Sequence, residues 1–295
     1  MIGAITPTAY TLEIEPDLDR FQFAGRLTLS ATIGQPTRSI SLDCTELAIW
    51  QCRIDAGDTG GDDIDCPFSL DPAGQKLTVQ LAAPRSGPIT LTIDYVGRIN
   101  DRMAGFYRSR IGGGGEPGYI AVTQFQESDA RRAFPCLDHP AQKAVFTVTM
   151  IVPTALTAIS NTGIDKTTPL AGGRKAIVFR PTPKMSTYLL FFGVGPFEIL
   201  EDEEDPRVRA VCLPGMGEQT VFGRRFARKA LAYGENYYAI DYPLDKMDLI
   251  AVPDFAFGAM ENWGAITFRE NLLLHVPGVT SREGESRICE VIAHE

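Results

Sequence analysis

The segment ITLTIDY (residues 89–95) places an apolar side chain at every second position, with a polar one between. Such period-two alternation is typical of a β-strand that buries one face and exposes the other to solvent. The same period recurs in residues 10–14, 27–33 and 146–152. These segments predict a mainly β domain over residues 1–200, built as an antiparallel, saddle-like sheet or a sandwich.

Turn-forming residues separate the predicted strands. Gly, Pro and Asp cluster at residues 16–19, 34–36, 58–63, 84–88 and 112–118. Because these residue types favour turn conformations and interrupt pairing, we expect the chain to leave its strand at each cluster.

The pattern changes after residue 200. The acidic segment EDEED (residues 201–205) ends at a proline and is predicted to join two domains. Beyond it, five apolar side chains at helical spacing predict one amphipathic helix: Phe222, Phe226, Ala230, Tyr233 and Tyr237. Strand-like segments follow at residues 248–252 and 264–268. Residues 201–295 are therefore expected to begin a mixed α/β domain.

A second helix is predicted to begin near Thr280, because Thr280 and Glu283 have the spacing of a capping box. Its apolar stripe would consist of Ile288, Val291 and Ile292.

Composition excludes several classes of protein. The 295 residues carry a formal net charge of −9 and no basic stripe, which argues against nucleic-acid binding. No apolar run approaches the roughly 18 residues of a membrane span, and the first ten residues lack the pattern of a signal peptide. The six cysteines form no CxxC pair and predict reduced thiols. We therefore expect a cytoplasmic protein without nucleic-acid or membrane partners.

The last two residues, His294 and Glu295, match the first two positions of HExxH. On a helix, the two histidines of that motif lie on one face and bind zinc, while the glutamate activates the metal-bound water. The dipeptide alone is common, and an exposed, fraying helix end is the alternative interpretation.

The segment GAMEN (residues 258–262) supplies a second candidate site. The Glu261 carboxylate is suited to pair with a substrate's protonated α-amino group and so to orient a peptide. Gly258 and Ala259 are small enough for an extended peptide to bind beside them as an added strand. The alternative is a surface turn with a solvated glutamate.

Further motifs appear in a fixed order along the chain: GFYRS (105–109), TQFQ (123–126), DARRAFPC (129–136) and STYLL (186–190). Together with GAMEN and the His-Glu pair about thirty residues later, they resemble the aminopeptidase N-like zinc metallopeptidases. The resemblance implies that residues 201–295 begin a thermolysin-like catalytic domain. It also implies one Zn²⁺ ion and peptide substrates with a free amino terminus, from which the enzyme removes the first residue.

The resemblance implies a set of substrate-binding residues: Gln124, Gln126, Phe257, Gly258, Ala259, Met260 and Glu261. Within this set Glu261 would hold the α-amino group. Phe257 would lie beside the pocket for the first side chain, although a core position is equally expected for a phenylalanine. Gln124 would face the same pocket from the first domain.

The resemblance also implies that His294 is the first zinc ligand and Glu295 the general base. The second zinc histidine belongs four residues beyond His294, and the distal zinc glutamate lies further on. One imidazole cannot hold a catalytic zinc ion, which needs about three protein ligands. We therefore expect the 295 residues to be the amino-terminal portion of an enzyme and to be inactive alone.

Gln126 departs from many relatives, which have a glutamate at that position. An amide oxygen can accept a hydrogen bond from an ammonium but carries no full charge. The neighbouring Glu127 would point to the opposite face if both residues lie in a strand. Because leukotriene A4 hydrolase-type relatives also have glutamine there, a bifunctional aminopeptidase and epoxide hydrolase stays open. A non-catalytic binding module built on the β domain is the other alternative.

Four residues near these motifs have simpler interpretations. His139 and His275 are expected in loops, without a metal ligand role. Arg131 and Arg132 are expected to form structural ion pairs, since an unpaired arginine is rarely buried.

Overall fold

A computed structural model describes residues 5–56, 62–112 and 118–295. The chain divides into two compact units, each made of three segments. Unit 1 consists of Met1–Tyr107, Thr123–Pro153 and Ile164–Leu190. Unit 2 consists of Arg108–Val122, Thr154–Gly163 and Phe191–Glu295.

The strands of the described residues follow one another in chain order. The first nine are β1 (Ile5–Asp17), β2 (Gln22–Asp43), β3 (Leu47–Ile54), β4 (Ile64–Asp65), β5 (Phe68–Asp71), β6 (Lys76–Arg98), β7 (Gly105–Arg110), β8 (Tyr119–Gln124) and β9 (Val145–Pro153). The others are β10 (Thr157–Ser160), β11 (Ile164–Leu170), β12 (Arg174–Phe179), β13 (Phe192–Gly195), β14 (Glu198–Glu201), β15 (Val208–Cys212), β16 (Met247–Val252), β17 (Ala259–Met260) and β18 (Ala265–Arg269).

Two α-helices accompany these strands, α1 (Val221–Tyr238) and α2 (Arg282–His294). Short 3₁₀ turns lie at Ala130–Arg132, Thr187–Leu189, Gly217–Thr220 and Glu270–Leu272.

Unit 1 is built on one large sheet with the strand order β11-β12-β9-β1-β2-β6-β3-β4, to which β5 adds beside β6. Its pairs are antiparallel except for β1 and β9, which run parallel. The alternating side chains predicted to be buried are buried; Tyr10 and Phe146, on adjacent strands, stack with ring centroids 5.1 Å apart. The prediction of a mainly β fold for this part of the chain is confirmed.

Two predicted turns are wrong. β2 continues through residues 34–36 and β6 continues through residues 84–88, so that each strand exceeds twenty residues. The pairing of β2 with β6 shifts register between Ile33 and Ser39, and this irregularity accommodates the glycine and proline residues without ending the strands. The turn after β1 is confirmed. The predicted turns at 58–63 and 112–118 lie largely outside the described residues.

Unit 2 contains a five-stranded sheet in the order β14-β15-β16-β18-β17. Its central strands β15, β16 and β18 are parallel, and the outer pairs are antiparallel. All six residues of β16 are buried, as expected for a central parallel strand covered on both faces. Both helices contribute to the core of this unit: Ala227 of α1 and Ile288 of α2 pack in one cluster with Leu249 and Phe268. The predicted mixed α/β character is confirmed.

Helix α1 confirms the predicted helix but not the whole of its apolar stripe. Gly223 and Ala227 are its buried residues, and a side chain at Gly223 would meet Leu273 at 2.9 Å. Tyr233 and Tyr237 are about two-thirds exposed and stack on each other instead. Small residues in the amino-terminal half therefore allow the close packing, while the carboxy-terminal half carries an aromatic surface.

The start of α2 differs from the predicted capping box. Ser281 is the N-cap residue, and its hydroxyl accepts a hydrogen bond from the Gly284 amide at 3.1 Å. The Thr280 hydroxyl accepts from the Val276 amide at 2.8 Å, within the preceding turn. Ser281 caps the helix because its backbone is extended and its short side chain reaches the first turn. The predicted stripe of Ile288, Val291 and Ile292 is buried.

All six cysteines are free; five are buried and Cys289 is half-buried. This confirms the predicted reduced thiols. Among the described residues, no helix is long and apolar enough to cross a membrane.

Candidate functional site

The GAMEN segment forms an edge of the unit 2 sheet. Ala259 lies opposite Phe268, and Met260 lies opposite Thr267. No strand in the described part of the chain pairs with the other side of β17. An edge strand presents unpaired main-chain groups to which an extended peptide can add as a further strand. This position is compatible with the peptide-binding role predicted for Gly258 and Ala259.

Alternate side chains of this segment point to opposite sides. Met260 is buried, with 1% of its surface exposed, and Glu261 is half-buried. Met260 therefore has only its main chain to offer a bound peptide, whereas the Glu261 carboxylate remains accessible. Phe257 is half-exposed, with its ring centroid 6.2 Å from that of Phe255. The alternative that Phe257 is a core residue is wrong.

Helix α2 carries the candidate metal ligand and base at its last turn. Its buried stripe attaches the helix to the core of unit 2. His294 is exposed, and Glu295 is half-buried, with its amide donating to the Val291 carbonyl at 3.1 Å. The His294 imidazole is therefore not packed in the core, and the Glu295 carboxyl belongs to the next residue in the chain.

Two adjoining cavities bring the sheet edge and the helix end together. Glu261 and Glu295 both line a cavity of about 450 Å³, together with Trp263 and Ile292. A second cavity of about 330 Å³ is lined by Gly258, Ala259, His294 and Glu295 among others. Glu295 belongs to both. Five of the predicted site residues, more than thirty positions apart at the extremes, thus meet in one region of unit 2.

The pKa of the Glu295 carboxyl is raised above the usual value for a glutamate. Burial first and the nearby Glu261 carboxylate second raise its pKa, His294 acts in the opposite direction, and the net result is a pKa of about 7. Desolvation and a like charge both disfavour the ionised form. A carboxyl that titrates near neutral pH can both accept and release a proton, as a general base must during turnover.

The residues present fit part of a zinc site. His294 supplies an accessible imidazole at the cavity, and Glu295 supplies a carboxyl beside it. Within the described ranges, no three His, Cys, Asp or Glu side chains converge as a metal site needs. Because a catalytic zinc ion takes about three protein ligands, these residues can hold it only together with others.

Gln124 and Gln126 belong to unit 1. Gln124 is buried, with 1% of its surface exposed, and neither its Oε1 nor its Nε2 has a hydrogen-bond partner among the described residues. Buried amides are normally paired, so this side chain retains its full capacity to bind a polar group. Gln126 is exposed in a turn after β8. Gln126 and Glu127 do not lie in a strand, since β8 ends at Gln124, so the argument from strand alternation does not apply to them.

Comparison with known proteins decides the family. A model of the peptidase M1 N-terminal domain matches residues 6–189, and a model of the peptidase family M1 domain matches residues 223–295. The chain belongs to the peptidase M1 family. The predicted resemblance is thereby confirmed.

Similar M1 proteins include a puromycin-sensitive aminopeptidase of Caenorhabditis elegans, which is 39% identical over 98% of this chain and 31% of its own length. Aminopeptidase M1-B of Oryza sativa is 37% identical over 98% of this chain and 33% of its own length. An aminopeptidase N of Acetobacter pasteurianus is 34% identical over 99% of this chain and 81% of its own length. The chain thus spans about a third of the first two relatives.

The motifs of the M1 N-terminal domain have structural roles in unit 1. Arg131 pairs with Asp138 at 3.0 Å, and Asp138 also accepts from the Thr187 hydroxyl at 2.8 Å. Arg132 pairs with Asp129 at 2.6 Å and with Glu46 at 2.7 Å. The contacts of Asp138 with Arg131 and Thr187 tie the DARRAFPC and STYLL segments to each other. The prediction of structural ion pairs for both arginines is confirmed.

Both histidines interpreted as loop residues lie in loops. His139 lies in a turn, where its Nδ1 accepts from the Ala141 amide at 3.2 Å. His275 precedes a turn, stacks on Phe222 and lies 3.1 Å from Glu285. The predicted loop positions of both histidines are confirmed.

Sequence reasoning missed the side chains that hold the GAMEN segment of this M1 chain in place. Asp254 accepts hydrogen bonds from the Ser109 hydroxyl and the Arg110 amide, at 3.1 and 2.9 Å. Asn161 and Lys246 bind the turn that follows Glu261. Nothing local in the sequence distinguishes Asn161 or Lys246 from surface residues, because the carbonyls of the turn that they bind lie 102 and 18 residues away along the chain.

Proposed function

We propose that the complete protein is a zinc-dependent aminopeptidase that removes the first residue of peptides with a free amino terminus. The observation that carries this proposal is the meeting of Glu261 and the His294–Glu295 pair at one pair of adjoining cavities. The aminopeptidases among the M1 relatives support the same reaction class.

Each residue has a distinct task in the proposed reaction. Glu261 accepts the substrate's α-ammonium group, and this charge-assisted contact selects a free amino terminus. The edge of β17 aligns the peptide as an added strand. Glu295 takes the proton of the attacking water and then passes it to the leaving amine. Zinc held by His294 and further ligands would acidify that water and polarise the scissile carbonyl.

The test compares the full-length, zinc-loaded protein with the 295-residue chain. We expect the full-length protein to release the chromophore from an aminoacyl anilide, and we expect the same anilide with an acetylated amino group to resist cleavage. The 295-residue chain should be inactive, because it offers one imidazole where about three ligands are needed. No turnover by the full-length protein would refute the activity, and turnover by the shorter chain would refute the ligand assignment.

The domain boundary near residue 200 is part of the proposal. The two family matches, to residues 6–189 and 223–295, lie on either side of it and support it. We also propose a cytoplasmic location, which the free cysteines support because thiols stay reduced in that compartment. Fractionation of cells that express the full-length protein tests the location.

A further inference from the structure

Among the described side chains that bind the turn after Glu261, Asn161 and Lys246 come from distant parts of unit 2. The Asn161 Nδ2 donates to the Trp263 carbonyl at 2.8 Å. The Lys246 Nζ donates to the Gly264 carbonyl at 2.6 Å. The main-chain carbonyls two and three residues after the proposed substrate anchor are thus bound directly by an amide and an ammonium group.

Lys246 uses its whole hydrogen-bonding capacity for this purpose. Its ammonium group is buried and has three N–H donors, which go to the Ser160 carbonyl at 2.5 Å, the Gly264 carbonyl and Asp248 at 2.7 Å. An ammonium has three donors and no acceptor, so none is left over. Two of its three partners are uncharged main-chain carbonyls. The buried cation therefore fastens the end of β10 to the start of β18.

Asn161, which follows Ser160 in the chain, binds the same turn. Its Oδ1 accepts from the Phe191 amide at 2.8 Å, which orients the side chain so that Nδ2 faces Trp263. The turn itself fits closely: Gly264 has a φ of +70°, and a Cβ at this position would lie 2.2 Å from the Asn161 carbonyl oxygen. A glycine is required there because both the left-handed backbone and the close approach exclude a side chain. The backbone after Glu261 thus has little room to move.

We propose that Lys246 and Asn161 are positioning residues, which hold the Trp263–Gly264 turn and thereby set the direction in which Glu261 presents its carboxylate to the substrate's α-ammonium group. This inference rests on the proposed aminopeptidase function. A carboxylate must lie within about 3 Å of an ammonium to make a strong, directed contact. A shift of the supporting turn would therefore weaken recognition of the amino group before it affects groups held elsewhere.

The experiment uses the full-length, zinc-loaded protein and two substrates, a leucyl anilide and its analogue without the α-amino group. The measured quantity is the ratio of their kcat/KM values, because a smaller folded fraction lowers both values equally and leaves the ratio unchanged. For Lys246→Met we expect the ratio to fall at least about tenfold, with most of the loss in KM for the amino substrate.

Arg209→Met is the matched control. Arg209 pairs with Asp248 at 2.7 Å in the same buried charge cluster, and within the described part of the chain its side-chain hydrogen bonds go to Asp248 rather than to the turn. Its loss should lower the thermal midpoint while the substrate ratio stays within about twofold of the unmodified protein. If Lys246→Met lowers kcat/KM equally for both substrates, the role of Lys246 is purely structural and the proposal is overturned.

Asn161→Asp decides the question if Lys246→Met does not fold. The aspartate has the same shape and keeps an acceptor for the Phe191 amide, but its ionised carboxylate faces the Trp263 carbonyl where the amide donated. The substrate ratio should fall here as well, and an unchanged ratio would overturn the proposal. Failure of the unmodified protein to cleave the leucyl anilide would instead refute the proposed function.

Discussion

Replacement of Glu261 by glutamine tests the central electrostatic contact of the proposed site. The change keeps the shape of the side chain and one acceptor oxygen, and it removes the negative charge. Glu261 lines the same cavity as Glu295 and is half-buried. We therefore expect the main effect on substrates that carry an α-ammonium group.

The size of the effect follows from this partial burial. Removing one partner of a buried, hydrogen-bonded charge pair costs about 2–5 kcal/mol. Water still reaches Glu261 and the glutamine retains an acceptor, so the lower end of this range applies. About 2 kcal/mol corresponds to roughly a 30-fold loss of kcat/KM, since each factor of ten requires about 1.4 kcal/mol.

The assay measures kcat/KM of the full-length, zinc-loaded protein for a leucyl anilide, with thermal unfolding as a check of folding. Glu198→Gln, at an exposed position of β14 in the same unit, is the control and should lose less than about twofold. A Glu261→Gln protein that folds and retains more than about a third of its kcat/KM would refute the assignment of Glu261 as the amino-group anchor.

Three further predictions concern stability. Phe146→Ala should lower the free energy of unfolding by about 3–5 kcal/mol, because a fully buried ring leaves a cavity; Trp50→Ala, at a mostly exposed ring, should cost far less in the same urea titration. Ser281→Ala should cost about 1 kcal/mol through loss of the helix cap, whereas Glu283→Gln should cost less than about half of that if no capping box exists. The Glu295 pKa is raised to about 7, so the folded zinc-free chain binds this proton more tightly than the unfolded chain. The resulting contribution to stability is complete below the ordinary glutamate pKa of about 4.3 and is lost as the pH rises through 7. Urea titrations of Glu295→Gln should therefore show a smaller decline in stability between pH 4.5 and 7.5, and an unchanged decline would contradict the raised pKa.

The spacing of apolar residues predicted the strands and helices well where the buried side chains repeat with the period of a strand or a helix. The strands around Tyr10, Leu29 and Ile93 were predictable because one side of a pleated strand faces a core, whatever the topology. The turn predictions at residues 34–36 and 84–88 were wrong because two long strands, paired along most of their length, hold glycine and proline in an irregular register. That stabilisation comes from the partner strand and leaves no local trace.

In the helices too, local sequence patterns predicted some features and missed others. The spacing of Ile288, Val291 and Ile292 predicted the buried face of α2, but two neighbouring hydroxyl residues competed for its cap. Only the backbone conformation decided that Ser281 caps the helix, because Thr280 is used by the preceding turn. In α1, Tyr233 and Tyr237 were predicted in the apolar stripe because their spacing matched, but both side chains are about two-thirds exposed.

For the candidate site, the sequence by itself supplied the candidate groups, a glutamate in GAMEN and a His-Glu pair on a helix, and the resemblance that the matches to the peptidase M1 family confirm. The tertiary structure decided that these groups share adjoining cavities, and that burial beside Glu261 raises the Glu295 pKa. It also decided that Lys246, an ordinary charged residue in the sequence, is buried and donates a hydrogen bond to the turn after Glu261. The physical reason is that hydrogen bonds and desolvation depend on distances between residues far apart in the chain, which no local pattern of residue types records.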